Sequence, residues 1–236
     1  MKPEYKRILL KLSGEGLAGK DGSGIDVTVI QKLADEILQI RKMDVSICVV
    51  IGGGNFFRGA KNAGKFMDRS VADQIGMLAT VMNAVALQSV LQVKGCPAKI
   101  FSGLSIPQVC ENYNFNKAYD TLNSGTVIIF AGGTGNPYFT TDTGATLRAV
   151  EMHCDLMLKA TQVDGVYDAD PRTNPKAKRY EQISFAEILQ KHLNVLDMTA
   201  VAMAQDNNLP VMIFKQSDEN SLINAVLGRA KCTIIR

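Results

Sequence analysis

Seven short, nearly unbroken apolar runs divide this chain, at 7–12, 45–51, 98–101, 126–131, 156–160, 211–214 and 233–235. Most are bounded by Gly, Pro or polar clusters. Strands exposed on one face alternate apolar and polar residues, whereas continuous apolar strands are covered on both faces. The stretches between the runs are longer and carry apolar residues at helical spacing. That alternation implies an α/β fold with a mainly parallel sheet between two layers of helices.

The first helix is predicted to start at the N-cap Asp26. It places Ile30, Leu33, Ile37 and Ile40 on a buried stripe and Lys32, Asp35, Glu36, Gln39 and Arg41 in water. A long second helix spans about 70–92, and its Ile75, Leu78, Ala79, Met82, Val85, Ala86 and Val90 are expected in the core. A third begins near Asp142 and runs to about 152, with Thr140, Thr141 and Asp142 offering capping oxygens. Further helices fit 185–193, 199–207 and 219–227. No repeat, low-complexity segment or linker interrupts the 236 residues, and one soft boundary near 159–161 makes the halves lobes of a single domain.

Two of the runs end in glycine turns. Val45-Ser46-Ile47-Cys48-Val49-Val50 leads into Ile51-Gly52-Gly53-Gly54-Asn55-Phe56-Phe57-Arg58-Gly59. Thr126-Val127-Ile128-Ile129-Phe130 leads into Ala131-Gly132-Gly133-Thr134-Gly135-Asn136-Pro137. Glycines at the carboxyl end of a buried strand bring bare N–H groups close to a ligand, and Arg58 adds a fixed positive fork. Oriented amides plus a guanidinium form a phosphate cradle. Two such turns suggest two phosphorylated ligands, and transfer between them. Lys11, within Leu9-Leu10-Lys11-Leu12-Ser13-Gly14-Glu15, either projects its ammonium toward a bound phosphate or snorkels from an edge strand.

Residues 14–20 match G-x-x-x-x-G-K, but Asp21 stands where a P-loop needs Ser or Thr, and Gly22-Ser23-Gly24 breaks the helix that should follow. A P-loop is excluded, and 19–24 is expected to be a mobile surface loop. GxGxxG is absent as well, which leaves a dinucleotide fold little support. Residues 133–142 combine glycines, hydroxyls, an amide and a carboxylate ahead of a helix N-terminus, a surface able to bind a base, sugar or phosphate. Asp142 there can cap the helix, orient Lys11 or hold a magnesium ion. In the stretch 159–171, Asp164-Gly165 signals a tight turn. Tyr167 either packs at that turn or faces a purine, and Asp170 can accept from a ribose or base.

Composition narrows the partners. No apolar stretch approaches the ~20 residues of a bilayer span. Lys2, Lys6 and Arg7 precede a short strand rather than the core of a signal peptide. The net charge of +3 comes from basic residues scattered singly, apart from a run at 172–179 expected to be a solvated loop, so no nucleic-acid surface is expected. Five cysteines without CxxC spacing, with only His153 and His192, disfavour a zinc cluster and fit reduced thiols in a cytoplasmic protein.

In order along the chain come KLSGE at 11–15, GGGNFFRG at 52–59, Asp73 within ADQIGMLAT at 72–80, GTGNPYFTTD at 133–142 and KATQVDGVYDADP at 159–171. Together they resemble the bacterial uridylate (UMP) kinase family of the amino acid kinase superfamily, over about residues 5–214. The resemblance implies the amino acid kinase (carbamate kinase-like) fold, a three-layer sandwich about a central, mainly parallel sheet. It implies an enzyme that phosphorylates UMP to UDP with ATP and Mg2+, for pyrimidine nucleotide biosynthesis. UMP is then expected over an N-terminal lobe, about 1–158, and ATP over a C-terminal lobe, about 159–236.

Carried onto this chain, the family pattern makes Lys11, Arg58 and Asp142 catalytic. Lys11, Leu12, Ser13, Gly14, Gly54, Arg58, Thr161, Tyr167 and Asp170 are expected to hold ATP. Gly53, Asp73, Thr134, Gly135, Asn136, Pro137, Tyr138, Phe139, Thr140 and Thr141 are expected to hold UMP, with Asp73 on the ribose. Gly19, Lys20, Asp21, Gly22, Ser23 and Gly24 match a segment linked to activation by GTP. Inhibition by UTP and a homohexamer follow from the same resemblance. Gln162 and Gly132 depart from the commonest family residues.

Two rival expectations stand beside this one. The first is another small-molecule kinase of the superfamily, acting on a carboxylate, carbamate or isopentenyl phosphate. The second is a non-catalytic nucleotide-binding or oxyanion-storage protein. Asp73 with GTGNPYFTTD favours a pyrimidine nucleotide, and Lys11, Arg58 and Asp142 favour catalysis.

Overall fold

A computed structural model describes residues 3–57 and 67–236, with Asp21 by its backbone alone. One nine-stranded sheet runs through it in the order β4-β3-β5-β2-β1-β6-β8-β9-β7. Its strands are β1 Arg7–Leu12, β2 Ser46–Ile51, β3 Ala98–Ser102, β4 Glu111–Asn112, β5 Val127–Ala131, β6 Leu156–Thr161, β7 Gln182–Ile183, β8 Val211–Lys215 and β9 Cys232–Ile235. Every neighbouring pair is parallel except β8 with β9. All seven expected strands form. The edge strands β4 and β7, two residues each, are too short to leave an apolar run.

Among the described residues the α-helices are α1 Val27–Arg41, α2 Arg69–Val93, α3 Phe115–Asn123, α4 Thr141–Glu151, α5 Phe185–Gln190, α6 Met198–Asp206 and α7 Ser221–Val226. They lie in two layers. Ile8, Leu10 and Leu12 of β1 pack with α1, α2 and α7, while Leu9 packs with α3, α4, α5 and α6. Successive strand residues serve opposite layers, which is why the runs are unbroken. This is the three-layer sandwich expected of the fold class.

Asp26 caps α1 by accepting from the N–H groups of Thr28 and Val29, and the Ile30, Leu33, Ile37 and Ile40 stripe is buried as expected. The apolar pattern does not reveal α3, because only Ala118 and Leu122 of that short helix reach the core. α5 and α7 are each shorter than their apolar patterns suggest, as helix ends commonly are.

The buried face of α2 requires correction. Leu78, Met82 and Val85 are exposed at 49%, 48% and 37%. Ala79 is buried as expected, and Ala86 and Val90 pack partly buried against the core. The other buried apolar residues are Ala72, Met77, Val81, Ala84, Leu87 and Leu91, of which the last four join the core over the sheet. A helix apolar on most of its surface leaves no unique stripe to read. By length and composition α2 could also cross a membrane, contrary to the sequence expectation, but its inner face is part of the core. Leu87, fully buried there, tests the packing. Leu87→Ala is expected to cost about 2–5 kcal/mol in urea unfolding, and an unchanged midpoint would contradict this layer assignment.

Candidate active site

Strand register brings the first two functional groups together. In the β1–β6 ladder Lys11 is the direct partner of Lys159. Lys11 lies two residues past Leu9 and so shares its face of the sheet, toward α4. Two ammonium groups side by side repel, and Asp142, in the first turn of α4, lies between them. Its Oδ2 is 2.6 Å from Lys159 Nζ, and its Oδ1 is 2.8 Å from Lys11 Nζ. The Lys159 contact is a hydrogen bond, and the same Nζ donates to the carbonyl of Val195 at 2.5 Å. The Lys11 contact is an ion pair without hydrogen-bond alignment. All three side chains are nearly buried, with exposures of 10% for Lys11, 12% for Lys159 and 14% for Asp142.

Burial pushes the Asp142 carboxyl up, and the charges of Lys11 and Lys159 more than reverse this, holding it below the usual carboxylate range. Burial likewise lowers Lys159, against the opposing pull of Asp142. The Asp142 carboxylate does not cap α4. Thr140 does, its Oγ1 accepting from the N–H groups of Asp142 and Thr143. A hydroxyl one residue outside the helix takes the capping bonds, which leaves the carboxylate to the lysines. Asp197, the N-cap of α6, then accepts from the hydroxyls of Thr140 and Thr143, holding the start of α4 in place.

Sequence reasoning missed Lys159 and Asp197 as site residues. Lys159 opens the motif at 159–171, but its place beside Lys11 emerges only when β6 is paired in register with β1. Asp197 had a signal, an aspartate just ahead of a helical pattern.

Around this cluster the glycine turns press backbone on backbone. A Cβ on Gly14 would stand 2.3 Å from Gly52 O, and one on Gly53 would stand 2.6 Å from Gly76 O of α2. No larger residue fits at either point without displacing main chain.

A cavity of about 130 Å³ opens beside them, lined in part by Gly53, Asp73, Thr134, Phe139, Thr140 and Thr141. These six belong to the set expected to hold UMP. Asp73 Oδ2 accepts from Arg69 Nε and from the N–H of Tyr138, both at 2.8 Å. Gly135, Asn136, Pro137 and Tyr138 do not line this cavity. Tyr138 is exposed at positive φ, with the Arg69 guanidinium 5.5 Å from its ring centroid.

The residues expected to hold ATP are only partly gathered. Lys11, Leu12, Ser13 and Gly14 run into the 52–54 turn, where a Gly14 Cβ would be 2.8 Å from Gly54 N. Thr161 ends β6 and donates to Val163 O. Tyr167 donates to Asp164 at 2.5 Å, and the Asp170 carboxylate is held by Arg172 at 2.8 Å. Asp164-Gly165 lies in a bend that follows β6, and beyond it Tyr167 forms an isolated antiparallel bridge with Arg179. A larger cavity, about 670 Å³, lies between the end of β1, α1 and residues 216–222, and of the expected ATP residues it takes in Leu12 alone. Arg58 lies outside the described residues. Among those described, no three His, Cys, Asp or Glu side chains cluster as metal ligands, and all five cysteines are free.

A parallel sheet whose central strands present paired lysines beside glycine turns is the frame of a small-molecule phosphotransferase. The amino acid kinase family model matches residues 6–215, and the chain belongs to that family. Its relatives include the uridylate kinase of Hyphomonas neptunium, 50% identical over 234 residues that cover 99% of this chain and 93% of the relative. The uridylate kinase of Bartonella henselae is 47% identical over 232 residues, 98% of this chain and 97% of that one. Among solved structures, UMP kinase from Ureaplasma parvum superposes with a TM-score of 0.93 at 37% identity, covering 98% of both chains.

The lysine-shared carboxylate makes a direct prediction. Asp142→Asn leaves two buried ammonium groups facing each other and is expected to destabilise the fold by about 3–5 kcal/mol at pH 7. A depressed carboxyl pKa contributes stability above the unfolded value of ~4 and loses it as pH falls through the folded one. The gap between variant and wild type in denaturant titrations is therefore expected to close in acid; a gap constant from pH 7 to pH 2 would contradict the pairing.

Proposed function

We propose that this enzyme transfers the γ-phosphoryl group of ATP to UMP, giving ADP and UDP, in pyrimidine nucleotide synthesis. The observation that carries this is the in-register pair Lys11 and Lys159, held by Asp142 at the carboxyl end of β1 and β6 beside two glycine turns. The cavity with Asp73 and Thr134 supports a nucleoside monophosphate on the N-terminal lobe, about 1–158. ATP lies over the C-terminal lobe, about 159–236, with its phosphates reaching Gly14, Gly54 and Arg58.

A phosphate oxygen of UMP attacks the γ-phosphorus in line as the bond from that phosphorus to the β-phosphate oxygen breaks, and ADP leaves. That oxygen is already anionic near neutral pH, so no general base is needed. Lys11 and Lys159 neutralise charge on the transferring group, and the amides of the 52–54 turn orient it. Asp142 holds the two ammonium groups apart from solvent and in place. With Asp142 shared by both lysines, the residues present suit a magnesium ion bound to ATP phosphates rather than one held by a protein cluster. Such an ion, when bound, neutralises phosphate charge.

Regulation belongs to the same proposal. GTP activates through residues 19–24 and UTP inhibits. The exposed Leu78, Met82 and Val85 of α2 support self-assembly, here as a homohexamer in the cytoplasm.

The test is ADP release over UMP, CMP, aspartate, carbamate and isopentenyl phosphate, with and without GTP. Release dependent on UMP is expected, and release dependent on another acceptor instead would replace this function. Lys11→Ala is expected to lower kcat by about 10²–10³ with the fold retained by circular dichroism, and a variant with wild-type kcat would remove Lys11 from the mechanism.

A further inference from the structure

Asn83 lies in the middle of α2 and is fully buried, and Asn55, 3% exposed, faces it from the turn after β2. Two amides in an apolar layer are costly unless every donor and acceptor is met. Here they meet each other. Asn83 Nδ2 donates to Asn55 Oδ1 and Asn55 Nδ2 to Asn83 Oδ1, both at 2.9 Å. Reversing either amide would set like groups face to face, so the pair locks both orientations.

The remaining bonds point in two directions. Asn83 Nδ2 donates to the carbonyl of Gly52 at 2.8 Å. Asn55 Nδ2 donates to the carbonyl of Gly24 at 2.7 Å, and the N–H of Gly24 donates back to Asn55 O at 3.0 Å. Gly52 in turn donates its N–H to Leu12 O, one residue from Lys11. The pair therefore spans from the end of loop 19–24 to the turn that carries Gly53 and Gly54. That loop is largely exposed, as its glycines and polar residues predict, yet Gly24 is tied to the core by both of its backbone groups.

We propose that Asn83 and Asn55 are positioning residues. They set the Gly52 carbonyl, and with it the N–H groups of the phosphate turn, and they make that setting depend on where loop 19–24 lies. Whatever binds or orders that loop alters turnover through Asn55, and Asn83 carries the effect without touching substrate. This rests on the proposal that the 52–54 turn holds ATP phosphates.

The test combines kinetics with amide hydrogen exchange on the protein without ligands. Asn83→Leu keeps the apolar fit of the helix but loses the donor to Gly52. It is expected to lower kcat about tenfold or more, and to speed exchange at 19–24, which Asn83 reaches only through Asn55. Asn83→Asp supplies a readout that a packing role would not move. Its ionised carboxylate cannot donate to Gly52 O, but the protonated acid can, and burial raises its pKa. Its kcat relative to wild type is expected to recover as pH falls. Because the two amides act as one unit, Asn55→Ala with Asn83→Leu should lose no more than the worse single variant.

Should Asn83→Leu not fold, Asn83→Asp and Asn55→Ala carry the same expectations. Wild-type exchange at 19–24, or kcat within about twofold at every pH in both folded variants, overturns the proposal. Absence of UMP-dependent ADP release in the unaltered protein overturns the kinase function alone, because the exchange measurement needs no substrate.

Discussion

Two like charges on neighbouring parallel strands are the constraint around which this site is built. Lys11 and Lys159 are register partners facing the same layer. Were they as far apart as neighbouring strands, roughly 5 Å, two unit charges would repel by ~3 kcal/mol at an effective dielectric of about 20. Asp142 removes that repulsion by contacting both. To do so, α4 must present its first turn directly over β1 and β6. Thr140 takes over the capping role, and Asp197 ties the same turn to α6. A chain of short polar contacts thus fixes the position of this charged cluster on elements that the core already holds.

The second organising feature is contact of backbone with backbone. Gly14 meets Gly52, and Gly53 meets the α2 main chain at Gly76, so three segments approach more closely than any side chain permits. Such approaches leave peptide groups facing one another away from water, and their polar atoms must be paired. Asn55 and Asn83 do this from within the protein. The same economy explains why α2 carries a buried amide among alanines and leucines: it reaches a carbonyl that no main-chain donor meets in the described hydrogen bonds.

Much of the frame was legible in the residues. Unbroken apolar runs located the seven longer strands, because burial on both faces removes the alternation that hides a strand's ends. Asp26 marked the start of α1, and clustered glycines marked the turns. Other features left no usable trace. α3 shows too small a stripe, and α2 shows too much apolar surface for its buried side to be chosen. Asp142 looked like a cap because carboxylates near helix starts usually are; the neighbouring Thr140 competes for the same N–H groups and takes them.

The order and type of the elements, the glycine turns at strand ends and the resemblance to one kinase family came from the linear chain alone. These depend on local burial pattern and local backbone freedom, both written in consecutive residues. The pairing of Lys11 with Lys159, the bridging by Asp142 and the tie from Gly24 through Asn55 and Asn83 to Gly52 came only with tertiary structure. Each depends on strand register or on which face of a helix turns inward. A shift of one residue reverses a strand's faces, and a rotation of about 100° does so for a helix, so distant packing decides both.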